Sequence, residues 1–156
     1  MSEKNSSFEK VLAEKGYLVY GIHGISMKPM LRQERDTVVI RSVEGSLHRY
    51  DVALYRYPSG KYVLHRLIRV LPDGKYVFRG DNLYTDETTI TDENVLGVLD
   101  AVIRGGKTVS VHTLWYRLYA RLWVGIYPLR KAFHTLKGFL TEGLWVHLKM
   151  RKQKRG

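Results

Sequence analysis

The sequence predicts a mainly β domain, a small barrel or sandwich, followed by C-terminal amphipathic helices. Three observations predict it. Short runs rich in valine, isoleucine, leucine and tyrosine recur roughly every ten residues as far as Val111. Turn-forming groups separate them, among them Pro58-Ser59-Gly60, Pro72-Asp73-Gly74 and Gly105-Gly106. After Thr113 the apolar spacing changes from the alternation of strands to the three-and-four spacing of helices.

Residues 1–16 read as a short N-terminal arm, capped at Ser6 or Ser7, carried by Phe8, Val11 and Leu12 and stopped by Gly16. Residues 17–112 form the β domain. The run 17–20 is a strand whose end is loosened by Gly21 and Gly24. Further strands are expected over 36–41, 50–57, 61–70 and 75–79, the last ended by Gly80-Asp81-Asn82. Residues 84–94, acidic and rich in threonine, read as a loop with little regular structure. Strands over 95–103 and 108–111 close the domain. Residues 113–156 form a basic helical segment. Leu114, Trp115, Leu118, Tyr119, Leu122, Trp123 and Ile126 share one helix face, with Arg117 and Arg121 off it. Pro128 interrupts this helix, and a second apolar stripe runs through Leu129, Phe133, Leu136, Leu140, Leu144 and Leu148.

At 156 residues the chain suits one domain with a sizeable core. It has no cysteine, which excludes disulfides and thiolate metal sites and leaves the redox compartment open. The 26 basic against 15 acidic residues, a net charge of +11, imply an anionic partner. Tryptophan, tyrosine and cations occur together in 113–156, which fits helices lying on an anionic membrane surface. The alternative is that these helices pack on the β domain or on a second subunit. Nucleic acid is not expected, because the strands lack an aromatic platform among cations and no helix-turn-helix precedes them. The N-terminus is polar, and no apolar run approaches the ~18 residues that span a bilayer. Neither a signal peptide nor a transmembrane helix is expected, so a peripheral membrane or cytoplasmic location follows. The oligomeric state is not set by these features.

The chain is organised around Gly24-Ile25-Ser26-Met27-Lys28-Pro29-Met30-Leu31. A strand leads into it, and Pro29 forbids a continuing central strand, so Ser26 sits in a bend that turns its hydroxyl outward. A nucleophile needs that exposure and a nearby backbone N–H for an oxyanion, which Ser26 itself can supply. Serines in such bends are also ordinary turn residues. Of the six histidines, His65 stands apart because it lies within a strand. If Pro72-Asp73-Gly74 makes a three-residue loop, Leu71 pairs with Lys75 and His65 lies opposite Asp81, with β-carbons about 5 Å apart. A slip of one residue places Asn82 there instead. Asp81 would then orient the imidazole, with Asp86 and Glu87 as rivals. The plainer alternative is a half-buried strand histidine bonded to any polar neighbour. Lys28 and Lys61 serve as bases only if desolvated. The histidines show no paired spacing for a metal, and no metal or cofactor is expected.

These residues resemble a known family. Ser26-Met27-Lys28-Pro29-Met30-Leu31 is similar to the serine box of the type I signal peptidases and the SOS-repressor autoproteases. Tyr50-Asp51-Val52-Ala53-Leu54-Tyr55 resembles their glycine-aspartate-valine strand, with tyrosine in place of the glycine. Val63-Leu64-His65-Arg66-Leu67 resembles the general-base box, with the histidine of the endoplasmic-reticulum and archaeal type. Arg79-Gly80-Asp81-Asn82, followed by Asp86, resembles the last box, and Val95-Leu96-Gly97-Val98 its closing strand. Gly24 stands where many relatives carry an oxyanion-stabilising hydroxyl. The resemblance implies a signal-peptidase-like β fold and a serine endopeptidase acting through an acyl-enzyme on Ser26, with His65 as general base. Its substrate would be an extended signal- or leader-like peptide or precursor protein, with small side chains before the cut. Alternatives within the same fold are a self-cleaving regulator, a processing peptidase for a dedicated precursor, and a non-catalytic peptide- or membrane-binding module.

Overall fold

The structure, a computed structural model, describes residues 5–153, with side chains described for 8–141. It is mainly β. Helix α1 (Asn5–Lys15) packs Phe8, Val11 and Leu12 on the core. It ends where Gly16 adopts φ +73° and donates its N–H to Leu12 O at 2.8 Å. The capping expected of Ser6 or Ser7 lies outside the described side chains.

Eight antiparallel strands follow: β1 (Tyr17–Gly21), β2 (Asp36–Arg41), β3 (Val52–Arg56), β4 (Tyr62–Val70), β5 (Tyr76–Arg79), β6 (Glu87–Ile90), β7 (Val95–Arg104) and β8 (Lys107–Ser110). Their spatial order is β1-β2-β7-β3-β4-β5-β6, with β8 also on β7. The sheet does not close into a barrel; β1 and β6 end its main row, and β8 pairs with β7 alone. Residues 84–94 are not the featureless loop that their acidity suggests. They hold β6, paired to β5 through Tyr76↔Ile90 and Phe78↔Glu87, and a 3-10 turn at Asp92–Asn94. The β-branched Thr88-Thr89-Ile90 and full burial of Ile90 outweigh the flanking acids.

Strand β3 shows why its sequence is a continuous apolar run. Val52 and Leu54 face a core shared with Leu18, Val38, Ile40 and Leu99. Ala53 and Tyr55 face a second core with Leu67, Tyr76, Phe78 and Ile90. Covered on both faces, this strand has no solvent side to spend polar residues on.

Two compact units emerge, residues 1–121 and 122–156, and both buried cores belong to the first. Helix α2 (Leu114–Gly125) is followed by α3 (Tyr127–Gln153), with Pro128 in the first turn of α3, where its missing N–H costs nothing. Among the described residues no helix is long and apolar enough to cross a membrane.

Candidate active site

Ser26 is half-buried in the bend after β1. Its carbonyl accepts a 2.7 Å hydrogen bond from the Asn82 N–H, which ties the bend to the turn after β5. The downstream side of the bend is clamped by Asp36. This buried carboxylate accepts from Arg32 N–H at 2.9 Å, from Arg35 Nε at 2.9 Å and from Arg104 Nε at 2.7 Å. Arg104 also donates to Met30 O at 2.9 Å. Burial alone would raise the Asp36 pKa. The hydrogen bonds from Arg35, Arg104 and the Arg32 N–H more than offset it and hold the carboxyl well below the usual range.

His65 is buried in the middle of β4, opposite Ala53 of β3. The expected three-residue loop is present, since Leu71 N–H donates to Lys75 O at 2.7 Å. Val70 pairs with Tyr76 and Arg69 with Val77, but Leu67 pairs with Phe78 and Arg66 with Arg79. Ile68 is therefore an extra residue, a bulge, and it moves the register by one. Continued, this register sets His65 against Gly80, not against Asp81 or Asn82.

That correction settles where each acid goes. Asp81 lies in a buried bidentate pair with Arg66, both bonds 2.8 Å long. Asp86 pairs with Arg79, with one contact of 2.9 Å. Glu87 is the carboxylate beside His65, its Oε1 3.4 Å from Nδ1. The Tyr55 hydroxyl completes the group, 3.1 Å from the same Nδ1 and donating to the other oxygen of Glu87. The deciding signal was not in the acid but in the bulge, which no motif announces.

The tautomer follows from proton counting. Burial pushes the Glu87 pKa up, but hydrogen bonds from His65, Tyr55 and Tyr57 pull it down further, to about 2, so Glu87 only accepts. The single Tyr55 proton goes to Glu87, and burial beside that carboxylate pushes the Tyr55 pKa far up. Nδ1 must then carry a proton, and in the neutral form of the ring Nε2 is the acceptor. Nε2 makes no hydrogen bond among the described residues and faces Gly80.

Gly80, the glycine of the last box, has a packing role that the motif does not state. A β-carbon there would lie 2.7 Å from Ser26 O and 3.0 Å from His65 Nε2. The Ser26 carbonyl and Nε2 of His65 thus both crowd the spot that a β-carbon at Gly80 would fill, so no other residue can stand there without displacing them. No hydrogen bond joins the Ser26 hydroxyl to His65 among the described residues. Apart from the hydroxyl, the Ser26 N–H donates to no backbone carbonyl among the described residues.

A cleft of about 400 Å³ lies elsewhere in this unit, between residues 43–52 and the first turns of α2, and neither Ser26 nor His65 lines it. Lys28 and Lys61 are both exposed, which is not the setting of a desolvated base.

No protein-family model matches this chain, and no curated protein matches it. The geometry of the site therefore carries the functional argument.

Proposed function

We propose that this chain is a signal-peptidase-like serine endopeptidase in which Ser26 is the nucleophile and His65 the general base. The observation that supports this best is the directed imidazole. Glu87 and Tyr55 hold its proton on Nδ1, and the free Nε2 points to the place where the Ser26 main chain sits. A structural histidine needs no such arrangement. Ser26 Oγ would attack the scissile carbonyl as its proton passes to Nε2, and the oxyanion would accept from the Ser26 N–H. Collapse would release the amine with that proton, and water activated by His65 would hydrolyse the acyl-enzyme. Catalytic hydrogen bonds are often long before substrate arrives, so the unbonded hydroxyl fits this cycle. An extended substrate suits strand pairing at the free edge of β1, which leads directly into the bend, and needs no deep cavity. Asp81 and Asp86, engaged by Arg66 and Arg79, would act on the site through structure alone.

The experiment is cleavage of alanine-rich precursor peptides in detergent by wild type, Ser26→Ala and His65→Ala, followed by mass spectrometry. We expect cleavage by wild type, a fall of at least about 10³-fold in both variants and unchanged folding. Activity surviving Ser26→Ala would sink the assignment. A folded wild type that binds these peptides but leaves them intact would make the chain a peptide-binding module of the same fold. Loss of a terminal segment from wild type alone, absent in Ser26→Ala, would make it a self-cleaver.

A further inference from the structure

Helix α2 has three sides. Tyr116, Tyr119 and Ala120 turn inward, and Ala120 is fully covered. Leu114, Trp115 and Leu118 lie exposed, with Trp115 79% accessible. Arg117 and Arg121, one helical turn apart, run along the border between the two. Helix α3, taken by itself, repeats the pattern. Leu129, Phe133, Leu136 and Leu140 fall at three-and-four spacing on one exposed stripe, with Phe133 72% accessible. Arg130 and Lys137 fall beside that stripe by the same periodicity.

Monomeric proteins rarely leave apolar stripes of this kind in water, so something covers them. Charge identifies it. No acidic residue occurs between Asp100 and Glu142, so the described part of both helices is flanked by cations alone. A second copy of either helix would bring cations against cations in any alignment of these stripes, which disfavours self-association. Nucleic acid would satisfy the cations but leave leucine and phenylalanine in water. An anionic lipid surface satisfies both, with acyl chains under the stripe and phosphates at its border.

We propose that α2 and α3 dock this protein peripherally on anionic phospholipid, each helix lying in the headgroup plane with its exposed apolar stripe inward. Trp115 anchors α2 at the interface, and Arg117 and Arg121 meet lipid phosphates. The docking requires no peptidase activity of the domain that carries it.

The test uses the full-length chain and sedimentation with vesicles of phosphatidylglycerol and phosphatidylcholine, against vesicles of phosphatidylcholine alone. Wild type should favour the anionic vesicles, with a preference that falls as salt rises. Arg117→Gln with Arg121→Gln should weaken that binding about 30-fold, from the value of one basic residue at such a surface. Leu129→Gln with Phe133→Gln should weaken binding by at least about tenfold through lost apolar burial. All four positions are exposed, so circular dichroism should match wild type. The blue shift of tryptophan fluorescence on binding should shrink in Trp115→Phe. Equal binding to both vesicle types, or binding unaffected by either pair of substitutions, would overturn the proposal. A concentration-dependent dimer that dissociates in the Leu129/Phe133 variant would also overturn it and assign the stripe to a second copy. Tight, stoichiometric binding of duplex DNA lost in the Arg117/Arg121 variant, without vesicle binding, would assign the cations to nucleic acid instead.

Discussion

Tyr50 holds φ at +83°, a backbone region that side chains other than glycine seldom adopt. The neighbouring structure over-determines it. Its N–H donates to Leu67 O at 2.8 Å, its carbonyl accepts from Arg66 at 2.9 Å, and the Arg49 guanidinium lies 4.8 Å from its ring centre. This is the position where the resembling glycine-aspartate-valine strand carries glycine. The usual order of alanine over glycine should therefore invert here. In urea unfolding, Tyr50→Gly should be more stable than Tyr50→Ala by about 1 kcal/mol, since both lose the ring and only alanine keeps the β-carbon. Equal stability, or alanine the better, would show that the left-handed conformation is not held in solution. At this scale the sequence was informative wherever chemistry requires a particular residue. Ser26 and His65 stood out by type and setting, but each kept a plainer reading, a turn serine and a half-buried strand histidine, until the resemblance was added. Gly80 was visible as a strand end and as the glycine of the last box, but not for its packing, because what demands glycine there is the approach of two distant segments, Ser26 and His65.

One bulged residue in β4 decides which acid lies beside His65. The turn at Pro72-Asp73-Gly74 was legible from its residues, and pairing beside it follows the expected count. The count fails beyond Ile68, because a bulge is set by how a strand packs and twists against its neighbours, not by its own residues. The same strand sends Arg66 into a pair with Asp81, while Arg66 also donates to Met30 Sδ at 2.9 Å and to Tyr50 O at 2.9 Å. That guanidinium is wholly buried, and its pKa is held far up by Asp81 against the cost of burial. Neutralising Asp81 strands a buried cation. Asp81→Asn should therefore cost about 3–5 kcal/mol, read as a lower urea midpoint at unchanged slope. Glu87→Gln should lower the midpoint less, since Glu87 is part-exposed, while kcat for peptide cleavage falls about 10²–10⁴-fold with little change in KM. A kcat loss confined to folded Asp81→Asn, with Glu87→Gln fully active, would return the orienting role to Asp81.

At the scale of the molecule, the fold class was legible and the closure was not. Periodicity reports which face of each strand is buried, so a mainly β domain with trailing helices could be read from Val52-Ala53-Leu54-Tyr55 and its neighbours. Whether the end strands meet depends on accumulated twist and stagger, which no local pattern encodes. The division of labour between the two units leads to a further expectation. Every described core residue, from Leu12 to Ala120, lies in residues 1–121, as do Ser26, His65, Tyr55 and Glu87. Residues 122–156 add exposed apolar stripe and cations but no described core. A chain ending at Arg121 should therefore fold cooperatively and melt within about 5 °C of the full chain. It should cleave a soluble peptide at an unchanged rate. Its affinity for anionic vesicles should fall without vanishing, because Trp115, Arg117 and Arg121 remain while Leu129 and Phe133 are gone. An unfolded truncated chain would mean that the second unit covers core surface that the first cannot leave in water. A folded chain that no longer cleaves would place part of the substrate site beyond Arg121.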